Sequence, residues 1–151
     1  MPPMGVARRA GPAGAGVPVQ VPGGRPVMID VQESLREVME CEGVLAASLV
    51  DYLSRITLGA VQTPRGPDLE KVAYGDTDVM RAKLSTLELL GYDPGRLEDI
   101  VVTLDTEYHV IRPLSRRARQ GVFLYLVADR ARTDLDAARA TMREVAHRLD
   151  V

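Results

Sequence analysis

The chain has 151 residues, 46% hydrophobic and 26% charged, with 19 Lys and Arg against 21 Asp and Glu. That length specifies one domain with a sizeable core, and a net charge of −2 gives no general basis for binding nucleic acid. One cysteine, Cys41, and two histidines exclude a disulfide framework and leave a poor stock of zinc ligands, and no apolar run is long enough to insert in a membrane.

Residues 1–27 hold six Gly and six Pro, three arginines (Arg8, Arg9, Arg25) and no acid. So few large apolar side chains predict a disordered tail, followed by a domain over 28–151 that carries the acidic excess. The glycines and prolines interrupt every candidate for the apolar core of a secretion signal. Arginine far outnumbers lysine, which occurs only as Lys71 and Lys83; that bias is expected of a high-GC bacterial genome, which argues against an organelle address, and the expected location is the cytoplasm. Met28 stands as an alternative start.

From Asp30 the pattern is helical. Asp30 and Glu33 fit an acidic variant of the capping box, Val31, Leu35, Val38 and Met39 share a face, and Gly43 is the stop. Val44 to Tyr52 is an almost unbroken apolar run, predicted as a buried strand. Leu53-Ser54-Arg55 turns the chain into a hairpin partner over Ile56 to Gln62, in which Gly59 marks a bulge or a close backbone approach. After Pro64, Gly66 and Pro67, a long helix runs over 68–90. Its Leu69, Val72, Ala73, Val79, Met80, Lys83, Leu84, Leu87 and Leu90 recur at spacings of three and four.

Three strands follow. Residues 98–106 alternate, with Ile100, Val102 and Leu104 on one side and Asp99, Val101, Thr103 and Asp105 on the other. Glu107 to Leu114 alternates as well, and Gly121 to Asp129 is apolar on both faces. A last helix starts at Thr133, capped by that hydroxyl with Asp136 three residues on, and Leu135, Ala138, Met142, Val145 and Leu149 form its stripe.

The order α-β-β-α-β-β-β-α, with the first and fifth strands apolar on both faces, predicts an α/β sandwich with helices on both sides of the sheet. Placing the two most buried strands side by side makes an antiparallel five-stranded sheet in the order 2-1-5-4-3, with the polar-sided third strand at an edge.

No catalytic constellation is present, and nothing calls for a cofactor or a metal. Neither lysine lies in a glycine-rich phosphate loop. His109 beside Tyr108 reads first as a hydrogen-bonded strand histidine, and an enzymatic reading would rest on those two residues alone. Cys41 lies between Glu40 and Glu42, acids that disfavour a reactive thiolate. Arg112 and the loop residues Arg116, Arg117 and Arg119 read as a contact for an acidic partner or as a solvated turn. The breadth of the apolar set on helix 68–90 fits a helix pressed on the sheet. It also fits a helix that meets its own copy beside the edge strand 98–106, and the candidate surface for that pairing is Val79, Met80, Lys83, Leu87, Asp99, Val101 and Thr103.

These segments resemble the roadblock/dynein light chain family, in its bacterial branch. The resemblance is carried by Gly43 to Asp51, Thr57-Leu58-Gly59, Val79 to Leu84, Glu98 to Leu104, Tyr108 to Leu114 and Phe123 to Arg130, and it spans about residues 31–149. It implies a single roadblock-like domain, related to the profilin-like sandwiches. It also implies a homodimer joined through the third strand and second helix, and a non-catalytic regulator of a Ras-like small GTPase, encoded beside that GTPase and a sensor-kinase-like protein. A dimerisation scaffold or sensor subunit without a GTPase is the alternative. The chain departs from the family at Leu53-Ser54-Arg55, where relatives commonly carry glycine, so a turn needing positive φ is strained here.

Overall fold

The computed structural model describes residues 16–19, 27–114 and 121–149. The rest of the N-terminal segment, and the loop bearing Arg116, Arg117 and Arg119, lie outside the described residues. β1 (Gly16–Val19) lies within the segment expected to be without structure and pairs antiparallel with β2 (Val27–Asp30) at the start of the domain, Gly16 opposite Asp30 and Val19 opposite Val27. Backbone groups make such a ladder, so a shortage of bulky side chains does not forbid it.

Asp30 ends β2 and caps α1 (Val31–Met39), its carboxylate accepting from the Glu33 amide at 3.2 Å. β3 (Val44–Asp51) and β4 (Ile56–Gln62) form the expected hairpin, and α2 (Leu69–Leu89) is capped by Asp68, which accepts from Glu70 and Lys71. A short turn of 3-10 helix at Pro94–Arg96 leads to β5 (Ile100–Thr103), β6 (Glu107–Leu114) and β7 (Val122–Asp129). α3 (Leu135–Leu149) closes the chain. Its cap is Asp134, whose carboxylate accepts from the Ala137 amide at 3.2 Å, rather than the expected Thr133. The Thr133 hydroxyl is buried against Gly43 and finds no hydrogen-bond partner among the described residues.

The five-stranded sheet runs β4-β3-β7-β6-β5, antiparallel at every step. This is the expected order, and its reason is burial: β3 and β7 are buried along almost their whole length and occupy the centre. Side chains of the central strands alternate between two cores. Leu49, Val110, Leu124 and Leu126 meet α1 and α3, whereas Val50, Ile111, Phe123, Tyr125 and Val127 meet α2.

Both readings of Gly59 hold. The β3–β4 register slips between Leu49 and Val50, leaving Leu58 as the extra residue beside Gly59. A Cβ on Gly59 would stand 2.8 Å from Val31 Cγ1 and 3.2 Å from Leu35 Cδ1, so glycine is what lets α1 approach β4.

Candidate interaction surface

The long helix α2 is positioned by opposite demands on its two flanks. Its lower face, Leu69, Ala73, Thr77 and Met80, is buried on the sheet, with the Thr77 hydroxyl donating to the Ala73 carbonyl at 2.6 Å. One flank is tied to the β3–β4 turn. Arg55 donates to the Tyr74 carbonyl and to Asp78, each at 2.6 Å, and its guanidinium lies 4.5 Å from the centre of the Tyr74 ring. Arg81 donates to the carbonyls of Tyr52 and Leu53 at 3.0 and 3.1 Å.

The turn itself is built by Asp51, whose carboxylate accepts from the amides of Leu53 and Ser54. Arg55 takes φ +66°, the only non-glycine residue with positive φ among those described. The strain anticipated at Leu53-Ser54-Arg55 thus falls on Arg55, and the same residue's side chain is what anchors the turn to α2.

The other flank of α2, with Val72, Asp76, Val79, Lys83 and Leu87, looks toward β6 and β5. It is only partly covered, because α2 packs over the β4–β3–β7 side of the sheet and touches β6, while β5 meets that core only at Ile100. Val79 is left 40% exposed, Val102 39% and Leu104 41%, with Leu90 and Tyr92 also exposed nearby in the chain. β5 pairs with β6 alone among the described strands, so its outer edge offers a free row of backbone donors and acceptors.

Beneath this flank is a polar group of side chains. His109 Nε2 is 2.9 Å from Glu107 Oε1, and the Tyr125 hydroxyl is 3.2 Å from His109 Nδ1. With a neutral ring, Nε2–H donates to Glu107 while Nδ1 accepts from Tyr125. Burial raises the Tyr125 phenol well above its ordinary range, so it stays a neutral donor. Burial also raises the Asp76 carboxyl from its ordinary value, partly opposed by the nearby His109.

Among the residues singled out from sequence, Val79 and Lys83 lie on the open flank, and Leu87 is half-buried there. Met80 is wholly buried in its own chain's core. Asp99 is likewise committed within the chain: its side chain, 8% exposed, accepts from Arg139 at 2.8 and 3.1 Å and lies 3.9 Å from Arg112. Arg112 is half-buried, and desolvation depresses its pKa despite the proximity of Asp99. Val101 packs half-buried against the α1 and α3 core, and Thr103 is exposed on that side of the strand. The outward-facing apolar residues along this edge are therefore Val102, in β5, and Leu104, one residue beyond it, the reverse of what alternation alone suggested. The physical reason is that α2 stops short of this edge, so a side chain pointing toward the α2 side finds solvent. Asp76, Val102 and Leu104 are the surface residues that sequence reasoning passed over.

A groove of about 530 Å³ also opens beside α2, lined by Tyr52, Arg81, Leu84, Glu88, Pro94 and Pro113 among others. Its arginine is already held by the Tyr52 and Leu53 carbonyls. Among the described residues no three His, Cys, Asp or Glu side chains are gathered to hold a metal ion, and no helix is long and apolar enough to cross a membrane.

The fold is that of the roadblock/LC7 domain. A roadblock/LC7 domain from Streptomyces avermitilis superposes with a TM-score of 0.65 at 18% identity, covering 80% of this chain and 95% of that one. MglB in a tetrameric arrangement gives a TM-score of 0.67 at 21% identity over 78% of this chain and 83% of its own. MglC from Myxococcus xanthus gives 0.54 at 22% identity over 78% and 94%. No protein-family model and no curated protein sequence matches the chain.

Proposed function

We propose that residues 28–151 form a cytoplasmic, non-catalytic regulatory domain that works as a homodimer and binds a Ras-like small GTPase in a bacterial signalling system. The observation that carries the dimer is the free β5 edge lying beside the open flank of α2, with Val79, Val102 and Leu104 exposed together with it. A two-fold axis along that edge would extend the sheet across two chains and bring the second α2 over the uncovered β5, satisfying edge and apolar face in one contact.

The GTPase rests on the roadblock fold and on the family likeness of the sequence; a similar fold is found in a gliding protein, MglB, from Thermus thermophilus. A sensor-kinase-like protein is the further expected partner. Light scattering across a concentration series tests the dimer, and a monomer at all micromolar concentrations removes it. Association with a candidate GTPase loaded with GDP or with a GTP analogue tests the second part. Nucleotide-dependent binding supports the regulator, whereas binding indifferent to nucleotide turns the assignment to a dimerisation scaffold.

A further inference from the structure

One histidine stands between α2 and the sheet, among side chains that can take or give a hydrogen bond. His109 lies in β6, cross-strand from the uncharged Val102 of β5 and Val127 of β7. Glu107 of its own strand meets Nε2 at 2.9 Å, the Tyr125 hydroxyl of β7 meets Nδ1 at 3.2 Å, and Asp76 faces it from α2. A further acid, Asp129, is opposite Glu107 in β7 and has Arg65 3.7 Å away. Among the described residues no lysine or arginine pairs with Glu107 or Asp76, so a protonated His109 is the cation that both acids can share.

These hydrogen bonds dictate what one more proton does. With the ring neutral, Nε2–H donates to Glu107, Nδ1 accepts from Tyr125, and Asp76 takes no part in the chain of bonds. Tyr125 is fully buried, and its phenol is kept protonated chiefly by that burial and further by the charges of Asp76 and Glu107. Its O–H therefore needs an acceptor at all times. A ring protonated on both nitrogens can only donate, so the Tyr125 oxygen must accept from Nδ1–H and its own proton must turn elsewhere. Asp76 is the acid near Tyr125 that the Glu107–His109 pair leaves free to receive it.

We propose that His109 works a proton-operated clasp on α2: uptake of a proton from solvent at Nδ1 reverses the Tyr125 hydrogen bond and turns the phenol O–H to the Asp76 carboxylate. The Glu107 bond lies within β6 and is made in both states, so it joins no two elements. The Tyr125–Asp76 bond spans β7 and α2, and it alone depends on the proton. Histidine changes charge between about pH 5 and about pH 8, so α2 is held more firmly on the sheet at the lower end of that range and loosened at the upper. The device lies within one chain and stands apart from both the dimer and the GTPase.

Hydrogen exchange of the α2 amides, corrected for the chemical rate, reads the clasp in the full chain. Protection over residues 69–80 should be about 3- to 10-fold greater at about pH 5.5 than at about pH 7.5, at a concentration where light scattering gives one oligomeric state for both. His109→Gln can still donate to Glu107 but takes up no proton; it, Asp76→Ala and Tyr125→Phe should each show the same protection at both pH values. A dependence that survives in folded His109→Gln, or none in the parent, overturns the clasp. Dependence lost in Asp76→Ala but kept in Tyr125→Phe overturns the relay through the phenol. Should Tyr125→Phe fail to fold, the parent answers the same question by nuclear magnetic resonance. The Tyr125 Cζ signal should move together with the His109 ring signals as pH falls, and move less in Asp76→Ala; a Tyr125 signal that ignores the histidine overturns the reversal.

Discussion

Replacing Val102 with serine separates the role of β5 as an interface from its role as a strand. Val102 pairs in register with His109 and points to the side that α2 leaves uncovered, where it stays 39% exposed. Full burial of a valine contributes about 1.5–3 kcal/mol, so the part a partner can still cover is worth about 0.6–1.2 kcal/mol per copy. A dimer contains two copies, which makes the loss about 1–2.5 kcal/mol, or about 5- to 60-fold in dissociation constant. Val101→Ser is the control, because Val101 faces the α1 and α3 core from the same four-residue strand. Its loss should lower the stability of the single chain by about 1 kcal/mol while changing dimerisation less. Sedimentation equilibrium would read association, with urea unfolding measured in parallel for both variants. The reasoning is refuted if folded Val102→Ser dimerises within threefold of the parent, or if Val101→Ser is the variant that dissociates.

Gly59→Ala should cost about 1–3 kcal/mol through collision with Val31, and adding Val31→Ala should return part of it; losses that merely add would show that close approach is not why glycine is needed. Asp99→Asn should destabilise the fold by about 2 kcal/mol or more, since Arg139 loses its partner and the Arg112 guanidinium, its pKa already depressed by burial, loses the carboxylate that lies 3.9 Å away. Denaturant midpoints check this. For Asp76 the folded pKa lies above the ordinary 3.8, so the fold binds the proton more tightly than the unfolded chain does. Stability from this group is therefore greatest at low pH and falls as pH rises from 3.8 through the raised value. Asp76→Asn should remove that decline, making the monomer relatively more stable at pH 7 than at pH 4. A pH dependence equal to the parent's, measured below the dimer dissociation constant, would contradict this.

Much of the architecture was legible because it depends on local chemistry and on how apolar a segment is on each face. Asp30 and Asp68 announce helix starts whichever way the helices later pack. The continuous apolarity of Val44–Val50 and Val122–Ala128 requires cover on both sides, which puts those strands at the centre. The turn at Leu53-Ser54-Arg55 was recognisable as a place of strain, though not its remedy: Arg55 is held by Tyr74 and Asp78, about twenty residues further along the chain.

The surface was less legible. Asp99 has the look of an exposed strand acid, yet Arg139, forty residues on, claims it from α3. Met80 and Val79 are adjacent on a helix of broad apolar character, and only the sheet beneath shows which is core and which is free.

Sequence by itself determined the three helices and the strands of the five-stranded sheet, their order, the central strands and the edge, though not the β1–β2 pair, because capping, alternation and two-faced apolarity are written into short stretches of chain. Tertiary structure decided where α2 lies across the width of the sheet. That position follows from Arg55 and Arg81 binding one flank and from packing over β3, β4 and β7. Periodicity specifies the side of a helix that is buried, but not how far the helix stands from the sheet's edge. The lateral distance is what turns Val102, Leu104 and Asp76 into a surface.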